Sequence, residues 1–153
     1  MKKTRFLFLL ALMLLVASLL FSGACSYVTG EAISESIPTQ VQNISIKDIS
    51  ATEAYAIIAL NAGRYNFTII DVRTAQEYAA GHIPGAINRD FNSPTFKDDI
   101  NKLDKSYIYV IYCQTGVRGA GARDVMKELG FQHVSNITGG ITAWIAQSLP
   151  MVK

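Results

Sequence analysis

Between residues 43 and 150 the chain alternates two kinds of hydrophobic pattern. Short apolar runs rich in β-branched and aromatic residues recur, separated by segments whose apolar positions fall at helical spacing. "NISIKDIS" (43–50) alternates as a short strand does. "SATEAYAIIALNAG" (50–63) reads as a helix with Ser50 or Thr52 as cap and Gly63 as stop. "NFTIIDV" (66–72) is a buried strand, "TAQEYAAG" (74–81) a short helix closed by Gly81, and "GAIN" (85–88) a short strand. "SPTFKDDINKL" (93–103) predicts a helix capped by Ser93, with Pro94 in its first position. "SYIYVIY" (106–112) is the most strongly β stretch in the chain. "VRGAGARDVMKELG" (117–130) predicts a helix with Val125, Met126 and Leu129 on its apolar face, ending at Gly130. "FQHVSNI" (131–137) is a last strand and "GGITAWIAQSL" (139–149) a last helix.

Strands alternating with helices of this length imply an α/β domain, a central parallel β-sheet with helices on both faces. Ligands in such sheets bind beyond the carboxyl ends of the strands. Cys113 stands at one of those ends, directly after the strongest strand.

A different pattern occupies the start of the chain. "MKKTR" precedes "FLFLLALMLLVASLLF" (6–21), an uncharged apolar run followed by "SGAC" (22–25). Basic residues, an apolar stretch and then small residues is the order of an export signal. The run is short for a spanning helix, which needs ~20 apolar residues. "SGAC" also resembles the lipobox of bacterial lipoproteins, which implies lipid attachment at Cys25 and removal of residues 1–24. Ser22 departs from that pattern, where a leucine is usual. An ordinary cleaved signal and a retained anchor are the alternatives, and all three put the domain on the extracytoplasmic side. Residues 26–42, polar and broken by Gly30 and Pro38, read as a tether from Cys25 to a domain spanning 43–153.

Composition and charge refine this picture. Of 153 residues, 50% are hydrophobic and 17% charged, too apolar for a disordered chain and sufficient for one domain. The formal charge of +2 includes Lys2, Lys3 and Arg5, so the chain without its leader carries 2 − 3 = −1. The basic pI therefore belongs to the leader and is no evidence for nucleic-acid binding, and no nucleic-acid partner is expected. The chain has two cysteines. With Cys25 lipidated, Cys113 has no partner for an internal disulfide, so it is either an inert core residue or a thiol kept for its reactivity.

The loop "CQTGVR" (113–118) favours reactivity. It joins a strand end to a helix start, where backbone N–H groups lack helical partners and the helix dipole favours negative charge. Gly116 can take a positive φ, which lets the chain wrap its amides inward. Arg118 adds a permanent positive charge. A sulfur facing such a cradle has its thiolate stabilised.

Three segments carry a resemblance to a known family. "DVRTAQEYAAGHIPGAIN" (71–88), "YCQTGVRGAGA" (112–122) and "NITGGITAW" (136–144) resemble the rhodanese domain, a sulfurtransferase fold, over roughly residues 43–150. The resemblance implies that Cys113 is the nucleophile. It takes a sulfane sulfur from a small donor as a persulfide and passes it to a thiol or cyanide-like acceptor. It also implies that the amides of Gln114, Thr115, Gly116, Val117 and Arg118 cradle that persulfide, and that neither cofactor nor metal is needed. Asp71 is expected to be structural and Arg73 to line the approach, with an exposed Arg73–Glu77 ion pair as the alternative for Arg73. His82 is expected to stabilise its turn and Trp144 to lie in the core, while His133 has no motif around it. Family members that use thiosulfate often carry a basic residue early in the loop or four residues after the arginine of "DVR". Those places here hold Gln114, Thr115 and Glu77, an arrangement less suited to a dianion.

Two other functions compete. Related folds cleave phosphate esters with five residues between cysteine and arginine. Here four separate Cys113 from Arg118, and the fifth leads to Gly119, a loop sized for one sulfur atom. A tethered module that takes up a persulfide or oxidises without turnover is the second alternative.

Overall fold

The computed structural model describes residues 44–153, so the leader, the tether and Cys25 lie outside the described residues. Within that range five strands form one sheet: β1 (Ser45–Ile49), β2 (Phe67–Asp71), β3 (Ala86–Asn88), β4 (Ile108–Tyr112) and β5 (His133–Ile137). Their order across the sheet is β1-β5-β4-β2-β3, and every pairing is parallel. Five helices connect and cover them: α1 (Ala51–Asn61), α2 (Ala75–Ala80), α3 (Phe96–Asn101), α4 (Val117–Glu128) and α5 (Gly140–Ala146).

Strand periodicity divides the core in two, because successive side chains point to opposite faces. On one face Val110 and Tyr112 of β4 pack with Ala51 and Ala54 of α1 and Ile141 and Trp144 of α5. On the other, Tyr109 and Ile111 pack with Phe96 and Ile100 of α3 and Ala122 and Met126 of α4. Cys113, the next residue in the odd series, joins this second cluster. The alternation of β4 therefore aims the thiol to the side covered by α4.

Helix starts follow local chemistry. Ser50 caps α1 in a capping box: its hydroxyl accepts the Glu53 N–H at 3.2 Å while the Glu53 carboxylate accepts the Ser50 N–H at 2.8 Å. Thr74 and Glu77 build the same box at the start of α2. The helix predicted from Ser93 begins later. Ser93 accepts the Thr95 N–H at 3.2 Å in a local turn, and α3 starts at Phe96 with Thr95 as an N-cap lacking a side-chain bond. A serine hydroxyl serves a turn as readily as a cap, and here the turn wins.

Candidate active site

The chain leaves β2 toward the edge strand β3 and leaves β4 in the opposite direction, toward β5. β2 and β4 are neighbours, so their connections diverge and open a crevice at their carboxyl ends. Asp71 pairs with Tyr112 across that end of the sheet. One wall of the crevice is thus Val72–Arg73 leading into α2, and the other is Cys113–Arg118 leading into α4.

Cys113 is free and 1% exposed. Its Sγ accepts the Gly116 N–H at 3.1 Å. Gly116 is the N-cap of α4, with φ +93 in the left-handed region where glycine alone is unstrained. With the sulfur as a bare thiol, the amide of the expected cradle that reaches it is Gly116's. Val117 and Thr115 are exposed, and Thr115 lines a cleft of about 220 Å³ with Asp48, Asn136 and Thr138.

The segment 136–144 clamps this loop from behind. The Ile141 N–H donates to the Cys113 carbonyl at 2.8 Å. The Thr142 N–H and hydroxyl both donate to the Gln114 carbonyl, at 3.1 and 2.9 Å. Such an approach needs glycine at 140, because a Cβ there would clash with the Cys113 carbonyl and the residue sits at φ +56. The paired glycines of "NITGG" thus serve to bring a helix start against the backbone of the thiol.

Two cations face the crevice, and each has an acid of its own. Arg73 is 4% exposed, and its guanidinium donates to both Asp71 oxygens, with Nη2–Oδ2 at 2.7 Å. It also donates to the Gly81 carbonyl at 2.7 Å and reaches Gln114 Oε1 at 3.5 Å. Burial opposes the Arg73 charge, and the Asp71 carboxylate outweighs it, holding the guanidinium above its ordinary range. The expected alternative of an exposed Arg73–Glu77 pair is therefore wrong. Asp71 lies at the strand end two residues before Arg73 and captures it.

Glu77 instead pairs with Arg118 across the crevice, Nη2–Oε1 at 2.7 Å and Nη1–Oε2 at 3.0 Å. That bidentate bond, with the Thr74 cap and against the cost of burial, pulls the Glu77 carboxyl from 4.5 down to about 2. The same bond holds the Arg118 guanidinium above its ordinary range. The site thus has a thiol facing a backbone donor, between two walls tied by an ion pair whose charges cancel.

Other named residues fall into place around it. His82 stacks on Tyr78 at 3.8 Å between ring centroids and exchanges backbone bonds with Val152, as a turn residue does. Trp144 is buried in the core. His133 opens β5. Three residues were missed by sequence reasoning as parts of the site: Glu77 as the partner of Arg118, Thr142 as a donor to the loop, and Asn136. For Glu77 the signal was available, since "TAQE" is a capping-box sequence that fixes the glutamate over the first turn of α2.

Comparison with known proteins adds an independent line. The family model described as Rhodanese-like domain matches residues 50–147. A Mycobacterium tuberculosis protein named "Probable adenylyltransferase/sulfurtransferase MoeZ" is 36% identical over 91 residues, which are 60% of this chain and 23% of that protein. The chain therefore spans about a quarter of that relative's length. "Thiosulfate sulfurtransferase 16, chloroplastic" of Arabidopsis thaliana is 31% identical over 112 residues, covering 67% of this chain and 89% of that one. Among solved structures, a rhodanese-related protein from Thermoplasma volcanium superposes with a TM-score of 0.59 at 28% identity. That match covers 69% of this chain and 97% of the other.

Proposed function

The chain belongs to the rhodanese-like family, and we propose that it is a sulfurtransferase that carries sulfane sulfur on Cys113. The observation that carries this reading is the Gly116 N–H pointed at Sγ from the N-cap of α4. The Cys113 thiolate attacks the sulfane sulfur of a small donor. The S–S bond to Cys113 forms as the donor's bond to that sulfur breaks, and the leaving group departs with the electron pair, sulfite from thiosulfate or a thiolate from a persulfide. An acceptor thiolate or cyanide then attacks the outer sulfur and returns Cys113 as thiolate. Negative charge stays on sulfur throughout, beside the helix start and the Gly116 amide that favour it.

Cys113→Ser tests this. A hydroxyl cannot become a persulfide, so transfer to cyanide should vanish. Intact mass after incubation with thiosulfate or glutathione persulfide should show one added sulfur atom in the wild type and none in the variant. Transfer surviving in Cys113→Ser would exclude Cys113 as carrier. A second reading, a persulfide-sensing module without turnover, is favoured by the burial of the thiol and the cancelled charge of Arg118. It predicts the added sulfur in the mass spectrum but no steady-state transfer.

The apolar run 6–21 and "SGAC" support export and anchoring through a lipid on Cys25. Cys25→Ala should then release the chain from the membrane fraction or block its processing; a variant anchored at full length would point to a retained helix.

A further inference from the structure

We infer that Asn136 is a positioning residue for the sulfur site, acting on Cys113 through the backbone of Gly116. The inference rests on the reading of Cys113 as sulfur carrier. Gly116 presents its N–H to the sulfur only while it holds φ +93. Glycine has no preference of its own for that conformation over its mirror region, so something outside the residue must hold it there. The carbonyl of Gly116 supplies the handle. It accepts the Ala120 N–H at 2.8 Å, the first helical bond of α4, and the Nδ2 of Asn136 at 3.3 Å.

Asn136 is 2% exposed near the carboxyl end of β5, between Ser135 and the fully buried Ile137. The same Nδ2 donates to Asp48 Oδ1 at 2.8 Å. Both neighbours of this end are acceptors, so the amide nitrogen and not the oxygen must face them. Oδ1, at the other end, is buried without a hydrogen-bond partner. A buried orphan oxygen is costly, and an apolar side chain would fill the space without that cost. A polar side chain kept at such a cost points to the work of its other end. Asp48 in turn fixes Asn136. Burial favours its neutral form, but its bonds to Asn136 and Arg123 outweigh this and hold the carboxyl below its ordinary range. Arg123 lies on α4, so the relay runs from α4 through Asp48 and Asn136 back to the N-cap of the same helix.

Packing acts beside the relay: Gly116 is buried, and a Cβ there would come within 3.0 Å of the Gly139 nitrogen and 3.2 Å of the Ile137 carbonyl. The cleft of about 220 Å³ opens between Thr115, Gly116 and Val117 on one side and Asn136, Thr138 and Gly139 on the other. Thr115 and Val117 on either side of Gly116 are exposed, and the Asn136 Nδ2 bond holds the Gly116 carbonyl between them.

The test reads the thiol directly, in the full chain, by iodoacetamide alkylation of Cys113 followed by peptide mass against pH. Asn136→Leu removes the donor and the orphan oxygen together. It should slow alkylation at pH 7 by about three- to tenfold, the range set by one hydrogen bond of ordinary net strength, and move the rate profile to higher pH. Asp48→Ala, at a half-exposed position where folding is not at stake, should move both in the same direction by less. Phe131→Leu, a core truncation away from the loop, should lower the melting temperature and leave the alkylation profile in place. Wild-type rate and profile in both Asn136→Leu and Asp48→Ala would overturn the inference, and if Asn136→Leu does not fold, Asp48→Ala alone decides. Alkylation needs no sulfur donor, so these outcomes bear on Asn136 alone. A wild type that alkylates normally but transfers no sulfur would count against the sulfurtransferase reading alone.

Discussion

Glu77→Gln separates the charge of Glu77 from its place in the fold. Glutamine at the third position of α2 still accepts the Thr74 N–H, so the capping box survives. What is lost is the negative charge that holds both Arg118 guanidinium nitrogens, at 2.7 and 3.0 Å. Arg118 then faces the crevice with an uncancelled charge, available to a donor. A charge-assisted hydrogen bond contributes roughly 1.5–3 kcal/mol when desolvated. The Arg118 side chain is 25% exposed, so solvent screening reduces the gain to about 1–1.5 kcal/mol. That is a rise of about five- to tenfold in kcat/KM for thiosulfate, at ~1.4 kcal/mol per decade. A donor without the charged SO3 group of thiosulfate, such as glutathione persulfide, should gain far less. Steady-state transfer to cyanide with both donors is the assay. Unchanged or reduced kcat/KM for thiosulfate would show that Arg118 does not meet the donor. An equal rise for both donors would mean that the loop had loosened rather than changed its charge.

Two further expectations concern stability. The depressed Glu77 carboxyl contributes stability that is fully present above about 4.5 and is lost as pH falls toward about 2. Urea unfolding should therefore place wild type about 1 kcal/mol above Glu77→Gln at pH 6, with the gap shrinking at pH 3; a constant gap would refute the linkage. Gly140→Ala places a methyl group against the Cys113 carbonyl at a residue with φ +56, and should cost about 2–4 kcal/mol and most of the activity. Calorimetry of that variant within about 0.5 kcal/mol of wild type would mean that α5 can retreat without cost.

The sheet and its helices were legible because their signals are local. A run such as "SYIYVIY" specifies a buried strand by itself, and strand–helix alternation then specifies a parallel sheet. The position of Cys113 at a strand end followed from the same reading. Its facing toward α4 needed the register of β4 as well, because one residue's shift would have put the thiol among Ala51 and Trp144 instead. Charge pairing was not legible. Arg73 has an acid two residues before it and another four residues after it, and helix periodicity favours the later one. Burial at the strand end decides for Asp71. Glu77 and Arg118 are 41 residues apart, and Asn136 and Asp48 are 88 apart, so only the closed sheet brings them together. The turn at Ser93 was misread for the opposite reason. Serine followed by proline satisfies the local rules for a helix start, and the competing turn obeys equally local rules.

With both guanidiniums matched, the attraction of this crevice for an anion falls to the backbone. Arg73 is neutralised by Asp71 and Arg118 by Glu77, and the Glu77 carboxyl, held far below its ordinary range by Arg118, stays ionised near neutral pH. Among the described residues, what remains uncancelled at the sulfur is the start of α4, equivalent to about half a positive charge, and the amide of Gly116. A source of that size stabilises one negative charge held close to it, as on a thiolate or a bound persulfide. Its field weakens within the first turn, so the part of a dianion's charge that lies on three outer oxygens gains much less from it. Such a source also has a weakness that a side-chain cation lacks: its direction depends on the conformation of one glycine. The hydrogen bonds that fix Gly116 and Cys113 from behind, from Asn136, Ile141 and Thr142, therefore bear on charge at the sulfur as directly as an arginine would.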